Sequence, residues 1–329
     1  MKVPLIITQE KMNRENPILK PDLPVLVIGA AGVDIVANIN EESLERISNP
    51  AQIRNSFGGV ARNVAENLAR LGQEVVLLST VGDDFYGDQL IKNACAAGIS
   101  TDYILKQAQK SSGMYIGVYN SAMDRLIAID NMEITSAITP EYIRDNNRLF
   151  KNAACVFMDM NLSNETIRTI IALAKSNHLA ICADTTSPQL ASKLIPYLPY
   201  LYLITPNSAE AALLVDPTRK ISSRKQALLS AKAMVSKGVE IVIITLGQHG
   251  LCYATSETNG YIPAIQTAIS DPTGAGDSLT ATVLFALLND IPLDDAVRLG
   301  VSAATLTLQY AGSVVPDLSL EKLYNRLVI

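Results

Sequence analysis

The stretch "DPTGAGDSLTATVL", residues 271–284, places three small residues and a carboxylate at the start of a strongly apolar helical segment. A helix start exposes unpaired backbone N–H groups and the positive end of the helix dipole, so Gly274, Ala275 and Gly276 would let an anion approach the bare backbone. A carboxylate beside an anion is useful when it takes a proton from a nucleophile that attacks the anion. We therefore predict that Asp277 has this role.

Continuous apolar runs elsewhere in the chain are typical of strands that are covered on both faces. They are residues 25–29, 75–79, 154–160, 179–184, 201–205 and 240–247. Helical periodicity covers 61–72 and 163–177 between these runs, and 274–289, 292–310 and 318–328 after them. Alternation of strands and helices with short connections predicts an α/β fold, with a doubly wound, mostly parallel sheet flanked by helices.

A second group of strand-like segments interrupts this order. Residues 33–39, 113–120 and 125–130 predict a small sheet away from the main one. At the ligand-binding end of an α/β sheet it would serve as a lid that excludes water, and the alternative is an ordinary edge hairpin. Residues 1–24 are expected to form an N-terminal extension, and residues 25–329 a single domain that contains the lid.

Composition excludes several classes of protein. The 329 residues are 48% hydrophobic and 18% charged, enough apolar content for a large core, and the net charge of −5 argues against a broad basic face for nucleic acid. No apolar run reaches the roughly 18 residues that a membrane span needs, and residues 1–17 lack the pattern of a signal peptide. We expect a cytoplasmic protein without nucleic-acid or membrane partners.

The cysteines carry no sign of a metal site or a disulfide framework. Cys95, Cys155, Cys182 and Cys252 are far apart in the sequence, and two of them fall in strand-like apolar runs. Neither zinc-ligand spacing nor closely spaced pairs are present. We expect these side chains to be small buried hydrophobic groups.

Two segments near the N-terminus have residue types that suit sugar hydroxyls. Asp34 is a lone carboxylate in an apolar segment after the first strand, and Gly58 and Gly59 precede a helix that carries Asn63 one turn later. The glycines allow close approach of a ligand, and an amide both donates and accepts hydrogen bonds. Each feature also has a structural interpretation, since Asp34 could cap a turn and a Gly-Gly pair is common in turns.

Two later segments suit a nucleotide. In "TPNSAE", Asn207 and Glu210 share one helical face, which fits either an oxygen-lined shell around hydrated magnesium or a helix capping box. These two interpretations stay open. In "TLGQHG", residues 245–250, two glycines after a strand could approach phosphates or an adenine, and His249 is expected to lie in a turn.

The ordered set of these motifs resembles the ribokinase-like (PfkB) carbohydrate kinases, and the spacing holds over residues 25–329. Residues 48–72, 79–90 and 125–143 are further similar to the pseudouridine kinases within that family. The resemblance implies phosphorylation of the ribose 5′-hydroxyl of a nucleoside by ATP, with pseudouridine as the expected acceptor. A ribokinase-type sugar kinase or another nucleoside kinase is the nearest alternative, and a sensor that binds nucleoside or sugar without catalysis is a remote one.

The resemblance also implies roles for individual residues. Asp277 would be the base, and Gly274, Ala275 and Gly276 would form the anion hole. Asp34, Gly58, Gly59, Asn63, Asn131 and Met132 would bind the substrate. Asn207, Thr245, Gly247 and Gly250 would line the ATP site. Asn207 and Glu210 would hold Mg²⁺ through water, and Asp271 and Thr273, with backbone from 310–316, would hold a monovalent cation, expected to be K⁺.

Three departures from the family pattern qualify these expectations. Pro272 removes one N–H from the loop before the anion hole, and Ser278 replaces the commoner alanine after the base. Asp130-Asn131-Met132 stands where pseudouridine kinases typically have Asn-Asp-Met or Ala-Asp-Met, so the nucleobase of the acceptor is left open. A lid with an exposed apolar face could also pair with a second copy of the chain, as a homodimer.

An aspartate of ordinary pKa, about 3.9, is a far weaker base than a sugar alkoxide and cannot deprotonate the hydroxyl before attack begins. The proton is therefore expected to move late, as bond formation makes the oxygen acidic. This order suits a loose phosphoryl-transfer transition state, in which positioning and charge neutralisation carry most of the rate.

Overall fold

The apolar run Val25–Ile28 forms a central strand of the main sheet. In the computed structural model, Val25 and Val27 pack into the core on one face of this sheet, and Leu26 and Ile28 pack into the core on the other face. Because helices cover both faces, every position of the strand needs an apolar side chain. This arrangement explains why the run is unbroken.

The structure describes residues 19–39, 47–120, 125–218 and 220–327. The strands are β1 (Val25–Ile28), β2 (Gly32–Ile39), β3 (Ala51–Gly58), β4 (Val75–Gly82), β5 (Ile104–Gln107), β6 (Gly113–Tyr119), β7 (Arg125–Asn131), β8 (Val156–Asp159), β9 (Ile181–Asp184), β10 (Leu203–Ile204), β11 (Ile241–Thr245), β12 (Leu251–Ala254) and β13 (Asn259–Ile262). The helices are α1 (Val60–Arg70), α2 (Phe85–Ala96), α3 (Pro140–Asp145), α4 (Arg148–Lys151), α5 (Asn164–Ser176), α6 (Pro188–Ala191), α7 (Ser208–Val215), α8 (Arg224–Ser236), α9 (Ala275–Leu288), α10 (Leu293–Gln309) and α11 (Leu320–Tyr324).

The main sheet has the order β13-β12-β11-β10-β9-β8-β1-β4-β5. The seven strands from β11 to β5 in this order are parallel to one another. Strands β12 and β13 complete one edge, where each pairs antiparallel with its neighbour. The chain runs outward from β1 to β4 and β5, and then returns to place β8 on the other side of β1. The carboxyl ends of β1 and β8 therefore lie at a topological switch point, where ligands bind in open α/β sheets.

A second, four-stranded sheet has the order β3-β2-β6-β7 and is called the small sheet below. It contains the three strand pieces predicted from the sequence, and the predicted doubly wound main sheet is also present. Strand β3 was not predicted, because "AQIRNSFG" lacks regular apolar alternation and most of its residues are exposed or half-buried. Its pairing with β2 places Gly58 opposite Gly32.

Helix α9 packs against α1 and α10 and is buried along most of its length. This burial explains the apolar sequence that follows Asp277, and it fixes the start of α9 beside α1. Two other predicted elements are shorter in the structure. Within 201–205 the strand covers Leu203–Ile204, and within 318–327, the described part of the predicted helix 318–328, the helix covers Leu320–Tyr324.

The end of the predicted N-terminal extension is held against the main sheet. The backbone N–H of Lys20 donates to the carbonyl of Ala154 at 3.3 Å, and Leu19 and Leu23 pack on the core. The rest of the predicted extension, residues 1–18, lies outside the described residues. The boundary between residues 24 and 25 stays a prediction.

The cysteine prediction is correct for three side chains and wrong for one. Cys155, Cys182 and Cys252 are buried, whereas Cys95 is exposed on α2, where its position near the end of an outer helix faces solvent. Within the described ranges, no helix is long and apolar enough to cross a bilayer.

Candidate active site

The start of α9 is shaped by two glycines with different surroundings. Gly274 has φ of 80°, in the left-handed region, and a Cβ there would collide with the carbonyl oxygen of Ser313. A Cβ on Gly276 would instead meet open space. Among the described residues, no side chain caps this helix, whereas Ser163 caps α5. The first-turn N–H groups of α9 are therefore available to an anion.

Asp277 lies in the first turn of α9 and is hydrogen-bonded to α1. The amide Nδ2 of Asn63 donates to Asp277 Oδ2 at 2.7 Å. Burial raises the pKa of Asp277 to about 7, with the charges of Asp34 and Asp159 as further causes, while the Asn63 hydrogen bond and Arg62 act in the opposite direction. The base predicted from the sequence therefore has a pKa well above the ordinary value and close to neutral pH.

Asp34 of β2 lies beside the same helix start. The hydroxyl of Ser313 donates to Asp34 Oδ2 at 2.6 Å, and burial raises the pKa of Asp34 to about 6. A Cβ on Gly58 would collide with the Asp34 carboxylate, so this glycine makes room for the side chain. A Cβ on Gly59, which has φ of 91°, would collide with the backbone of Ala30. Both glycines are thus required by packing.

A buried arginine orients Asn63. Arg62 Nη1 donates to Asn63 Oδ1 at 2.8 Å and to the carbonyl of Phe57 at 2.6 Å, and its Nη2 donates to Asn93 Oδ1 at 2.8 Å. Glu66 forms an ion pair with the same guanidinium. Burial lowers the pKa of Arg62 to about 10. Because Asn63 Oδ1 accepts from Arg62, its Nδ2 is directed toward Asp277.

Asp159, at the end of β8, has a structural function. Its Oδ2 accepts the backbone N–H of Ala30 at 2.7 Å and that of Ala61 at 3.1 Å. The carboxylate thereby joins the turn after β1 to the start of α1. Burial raises the pKa of Asp159 even though these N–H groups favour its ionised form.

Asp184, at the end of β9, is a carboxylate of this region that the sequence analysis missed. Burial raises its pKa well above the ordinary value, and the charges of Asp277 and Glu210 raise it further. Its position directly after an apolar strand is the signal that could have identified it. Asp184 is thus flanked electrostatically by carboxyl groups of α7 and α9, each of which opposes its ionisation.

Asn207 and Glu210 form the capping box that was one of the two interpretations of "TPNSAE". Asn207 Oδ1 accepts the N–H groups of Ala209 and Glu210, and Glu210 Oε2 accepts the Asn207 N–H at 2.9 Å. Glu210 is also buried, and Thr185 Oγ1 donates to its Oε2 at 2.6 Å. Capping thus fixes Glu210 near Asp184. In the part of the chain that the structure describes, no three His, Cys, Asp or Glu residues are placed to enclose a metal ion.

The loop after β11 contains the two glycines predicted for the nucleotide site, and they have different surroundings. Thr245 forms an isolated bridge with Asn207, so this loop adjoins the start of α7. Gly247 has φ of 56° and open space at its Cβ position, whereas a Cβ on Gly250 would collide with the carbonyl of Ile262. Gly250 is therefore required by the turn. His249 lies in a short 3₁₀ turn, as expected.

Asn131 and Met132 lie where β7 of the small sheet ends. Asn131 is exposed, and its Oδ1 accepts the N–H of Glu133 at 3.2 Å. Met132 is half-buried, and its side chain covers Gly32 and Gly113, where a Cβ would fall 2.8 Å from Cε and 2.6 Å from Sδ respectively. These two glycines allow the thioether to lie flat against β2 and β6.

The loop of Asp271 and Thr273 contacts the small sheet. Asp271 is 1% exposed, and its Oδ1 accepts the Thr273 N–H at 2.9 Å. Its Oδ2 lies 2.9 Å from Nη2 of Arg54, a residue of β3. The backbone N–H of Ser270 donates to the carbonyl of Leu308 in α10 at 2.7 Å, and Gly274 at the end of this loop lies against Ser313, within residues 310–316. An arginine thus lies at the carboxylate of the loop in which the cation is predicted.

Comparison with known proteins decides the family. The model of the pfkB family carbohydrate kinases matches residues 23–319. The chain belongs to the pfkB family of carbohydrate kinases. Kinases of this family are phosphotransferases that act on an alcohol group and use ATP with Mg²⁺.

Individual relatives agree with this assignment. The kinase is 31% identical to the pseudouridine kinase of Escherichia coli over 300 residues, 90% of this chain and 94% of that protein. It is 27% identical to a ribokinase of Haemophilus influenzae over 260 residues, 78% of this chain and 83% of the relative. The structure of Arabidopsis thaliana ribokinase complexed with ribose and ATP matches with a TM-score of 0.79 at 20% identity, covering 93% of the kinase and 99% of that chain. That likeness confirms the ribokinase-like fold.

The kinase brings most of the predicted site residues together. Asp34, Asn63, Asp277 and the start of α9 converge, and Asn207, Glu210 and Thr245 adjoin one another. Sequence reasoning missed Arg62, Ser313, Asp184 and Arg54. Arg62, next to Asn63 in the GG motif, carried a weak signal. Ser313 and Arg54 act through contacts over more than 200 residues, and no local pattern marks them.

Proposed function

We propose that this kinase transfers the γ-phosphoryl group of ATP to the ribose 5′-hydroxyl of a nucleoside, and that pseudouridine is the first acceptor to test. The observation that carries the proposal is the Asn63–Asp277 hydrogen bond at the uncapped start of α9, beside Asp34. This arrangement combines a general base, an anion-binding helix start and a carboxylate for sugar hydroxyls. Together these groups supply what phosphoryl transfer to an alcohol requires.

Asp277 accepts the proton of the attacking hydroxyl. A new oxygen–phosphorus bond forms as the bond between the γ-phosphorus and the bridging oxygen of ADP breaks, and the proton moves to Asp277. A carboxylate of pKa about 7 is a stronger base than one of ordinary pKa, about 3.9, and is still partly ionised at neutral pH. Proton transfer late in the attack therefore has a smaller energetic cost than an exposed aspartate would impose.

The N–H groups at the start of α9 stabilise the negative charge on the transferred phosphoryl group. Gly274 turns the chain into the helix, and the open space at Gly276 allows phosphoryl oxygens to approach the backbone. Such donors are fixed before the reaction begins, so no reorganisation is required in the transition state.

Asp34 and Asn63 would bind the ribose of the acceptor. The Ser313 hydroxyl holds Asp34 Oδ2, which fixes the direction of the carboxylate, and Arg62 fixes the amide of Asn63. Met132 and the exposed Asn131 at the end of β7 would contact the rest of the acceptor. We assign the choice between nucleoside and free sugar to this part of the small sheet, which would act as a lid.

Thr245 and Gly247 would line the ATP site, with Asn207 at the start of α7 beside them and Gly250 shaping the turn. Asn207 and Glu210 would hold Mg²⁺ through water, and the buried Asp184 adds a third oxygen-bearing group nearby. The donor types fit this ion, because Mg²⁺ prefers oxygen ligands and retains several of its waters. Bound there, the ion would neutralise phosphate charge during transfer.

The match to the pseudouridine kinase of Escherichia coli, which extends over most of both chains, favours pseudouridine as the acceptor. A ribokinase-type activity is the second candidate, since a ribokinase also matches over most of its length. The shared phosphoryl-transfer groups do not distinguish these acceptors. Substrate choice therefore needs a direct assay.

The decisive experiment measures ADP formation by the purified protein with ATP and Mg²⁺ across pseudouridine, uridine, other nucleosides, ribose and fructose. We expect turnover with pseudouridine that Asp277→Asn abolishes. If ribose were the only acceptor that supported turnover, the proposed acceptor would be wrong and the proposed mechanism would stand. Ligand binding without turnover by any acceptor would favour a sensor and contradict the kinase proposal for this chain.

The small sheet would also mediate a homodimer. Its strands β3 and β7 are edge strands that carry the exposed side chains of Ile53, Leu126, Ile127 and Ile129. Exposed apolar edge strands favour pairing with another strand or sheet. Sedimentation of the wild type and of an Ile127→Lys/Ile129→Lys variant tests this assignment. We expect a dimeric wild type and a monomeric variant, and a monomeric wild type would contradict the assignment.

A further inference from the structure

Arg54 joins the small sheet to the loop that precedes the anion hole. It lies on β3, and its Nη2 is 2.9 Å from Asp271 Oδ2 and donates to the carbonyl of Ser270 at 2.9 Å. The Asp271 side chain is 1% exposed, whereas that of Arg54 is 33% exposed. A cation from one sheet thus neutralises a buried carboxylate on the other side of the site.

A buried carboxylate needs a counter-charge or hydrogen bonds to both of its oxygens. Asp271 Oδ1 accepts the Thr273 N–H, whereas Oδ2 has no hydrogen bond from the described residues and forms an ion pair with the guanidinium of Arg54. Arg54 therefore provides the charge compensation at Oδ2. The same charge acts on the loop three residues before Gly274.

The family resemblance implies K⁺ at this carboxylate. The donor types at Asp271 and Thr273 suit such an ion, because hard cations take oxygen ligands. A potassium ion bound to Oδ2, however, would lie beside the guanidinium of Arg54 and would be repelled by it. The carbonyl of Ser270 is also already an acceptor for Arg54. These residues do not fit a second cation at that oxygen.

We propose that Arg54 supplies, from within the chain, the positive charge at Asp271 that a monovalent cation was expected to supply. The stability of the protein is then insensitive to K⁺. For the activity, the inference rests on the kinase function proposed above: the kinase works equally well with K⁺ and without it. Arg54 is a positioning residue, since it acts on the anion hole through the loop of Asp271.

Contacts next to Arg54 connect the same elements. Ser56, two residues further along β3, lies with its Oγ 3.4 Å from the Oγ of Ser313. Ser313 in turn holds Asp34 and sits against Gly274. Arg54 therefore reaches Asp271 only when β3 lies against the start of α9. The position of the small sheet is in this way linked to the shape of the anion hole.

The test compares the wild type with Arg54→Gln in KCl and in choline chloride at equal ionic strength. The wild type should show the same Tm and the same rate in both salts. Arg54→Gln should lose about tenfold or more in rate in choline chloride and recover in KCl. Its Tm should rise by about 2–4 °C in KCl over choline chloride, because the ion binds the folded state.

Arg144→Gln is the matched control, because Arg144 is an exposed arginine that pairs with Glu141 on the surface. It should respond to neither salt. Arg54→Lys keeps the positive charge and should remain insensitive to K⁺, and it replaces Arg54→Gln if that variant fails to fold. The double variant Arg54→Gln/Asp271→Asn removes the carboxylate that needs compensation, so its response to KCl should disappear.

Two results would overturn the inference. One is a wild-type protein whose Tm or rate rises in KCl, and the other is an Arg54→Gln variant that responds to KCl no more than the control. Failure of the proposed function is separable from both, since a protein without turnover still reports its response to K⁺ through Tm.

Discussion

The two sides of the active site are built differently. The side that we propose binds the acceptor, called the acceptor side below, comprises Asp34, Asn63, Asp277 and Ser313. It is joined by hydrogen bonds between residues that lie 214 and 279 positions apart in the sequence. It can form only after β2, α1, α9 and the loop after α10 have packed together.

The side that we propose binds the nucleotide, called the nucleotide side below, comprises Asn207, Glu210, Thr245 and Gly247, and it depends more on local structure. Asn207 and Glu210 bond to each other within one helical turn, and Gly247 belongs to a turn that directly follows β11. A short segment can therefore adopt much of its functional shape by itself. The difference teaches that substitutions on the acceptor side should affect neighbouring elements, while those on the nucleotide side should have more local effects.

The largest effect should occur at Asp277. Asp277→Asn leaves a side chain of similar size but removes the base, so kcat should fall by about 10³-fold or more while acceptor KM changes little. Because burial of an ionised carboxylate is unfavourable, the variant should also unfold at a temperature no lower than the wild type at pH 8. Steady-state kinetics and thermal unfolding test both points, and a kcat within tenfold of wild type would remove Asp277 from the base role.

The glycine pair of α9 separates the catalytic from the structural contribution. Gly276→Ala should lower kcat by about 10²-fold without loss of stability, because its Cβ would meet open protein space that the proposed mechanism fills with phosphoryl oxygens. Gly274→Ala should destabilise the fold, since φ is 80° and the Cβ collides with Ser313. Parallel measurements of Tm and kcat test the pair. Equal loss of stability in both variants would contradict the proposed difference.

The acceptor carboxylate should give the next largest effect. Asp34→Asn should raise the acceptor KM about 10- to 100-fold and leave the KM for ATP nearly constant, because in the proposed site this carboxylate binds the sugar and not the nucleotide. Ser313→Ala removes the donor that orients Asp34 and should cause a smaller change in the same direction. If ATP KM rose as much as acceptor KM, the two sides would be coupled more closely than their contacts indicate.

The pH dependence of the rate tests the electrostatics of the acceptor side. Since Asp277 must be ionised and its pKa is raised to about 7, kcat/KM should rise about tenfold per pH unit below pH 7 and level off above it. For stability the sign is opposite: the contribution of Asp277 is fully present below pH about 3.8 and is lost as the pH rises through about 7. In Asp277→Asn, the pH dependence of the free energy of unfolding should lack this component. If the variant and the wild type had the same pH dependence, the raised pKa of Asp277 would be contradicted.

The nucleotide side should show the smallest effects. Glu210→Gln weakens the charge-assisted bonds from Thr185 and from the Asn207 N–H, so we expect a few-fold rise in the ATP KM and a loss of about 1 kcal/mol in the free energy of unfolding. Titration of ATP at fixed Mg²⁺ and urea unfolding measure these changes. Thr218→Val, on the exposed turn after α7, serves as the control and should alter neither quantity.

The parts of the candidate site that the sequence indicates are those encoded by a local pattern. The small residues before Asp277, the Gly-Gly pair before α1 and the capping motif at Asn207 are all recognisable within a few residues. The sequence analysis left the two interpretations of Asn207 and Glu210 open, and the structure shows the capping box. It missed β3, whose half-exposed polar residues carry no periodic signal, and with it the position of Arg54.

The amino-acid sequence by itself determined the alternation of strands and helices, the two-faced burial of β1 and the glycine-lined start of α9, because apolar periodicity and glycine placement act over a few residues. Only the tertiary structure decided the raised pKa of Asp277, the orientation of Asn63 by Arg62 and the neutralisation of Asp271 by Arg54. The physical reason is that burial and charge compensation depend on groups brought together from distant parts of the chain. A linear pattern contains neither the distance between two charges nor the water that packing excludes from them.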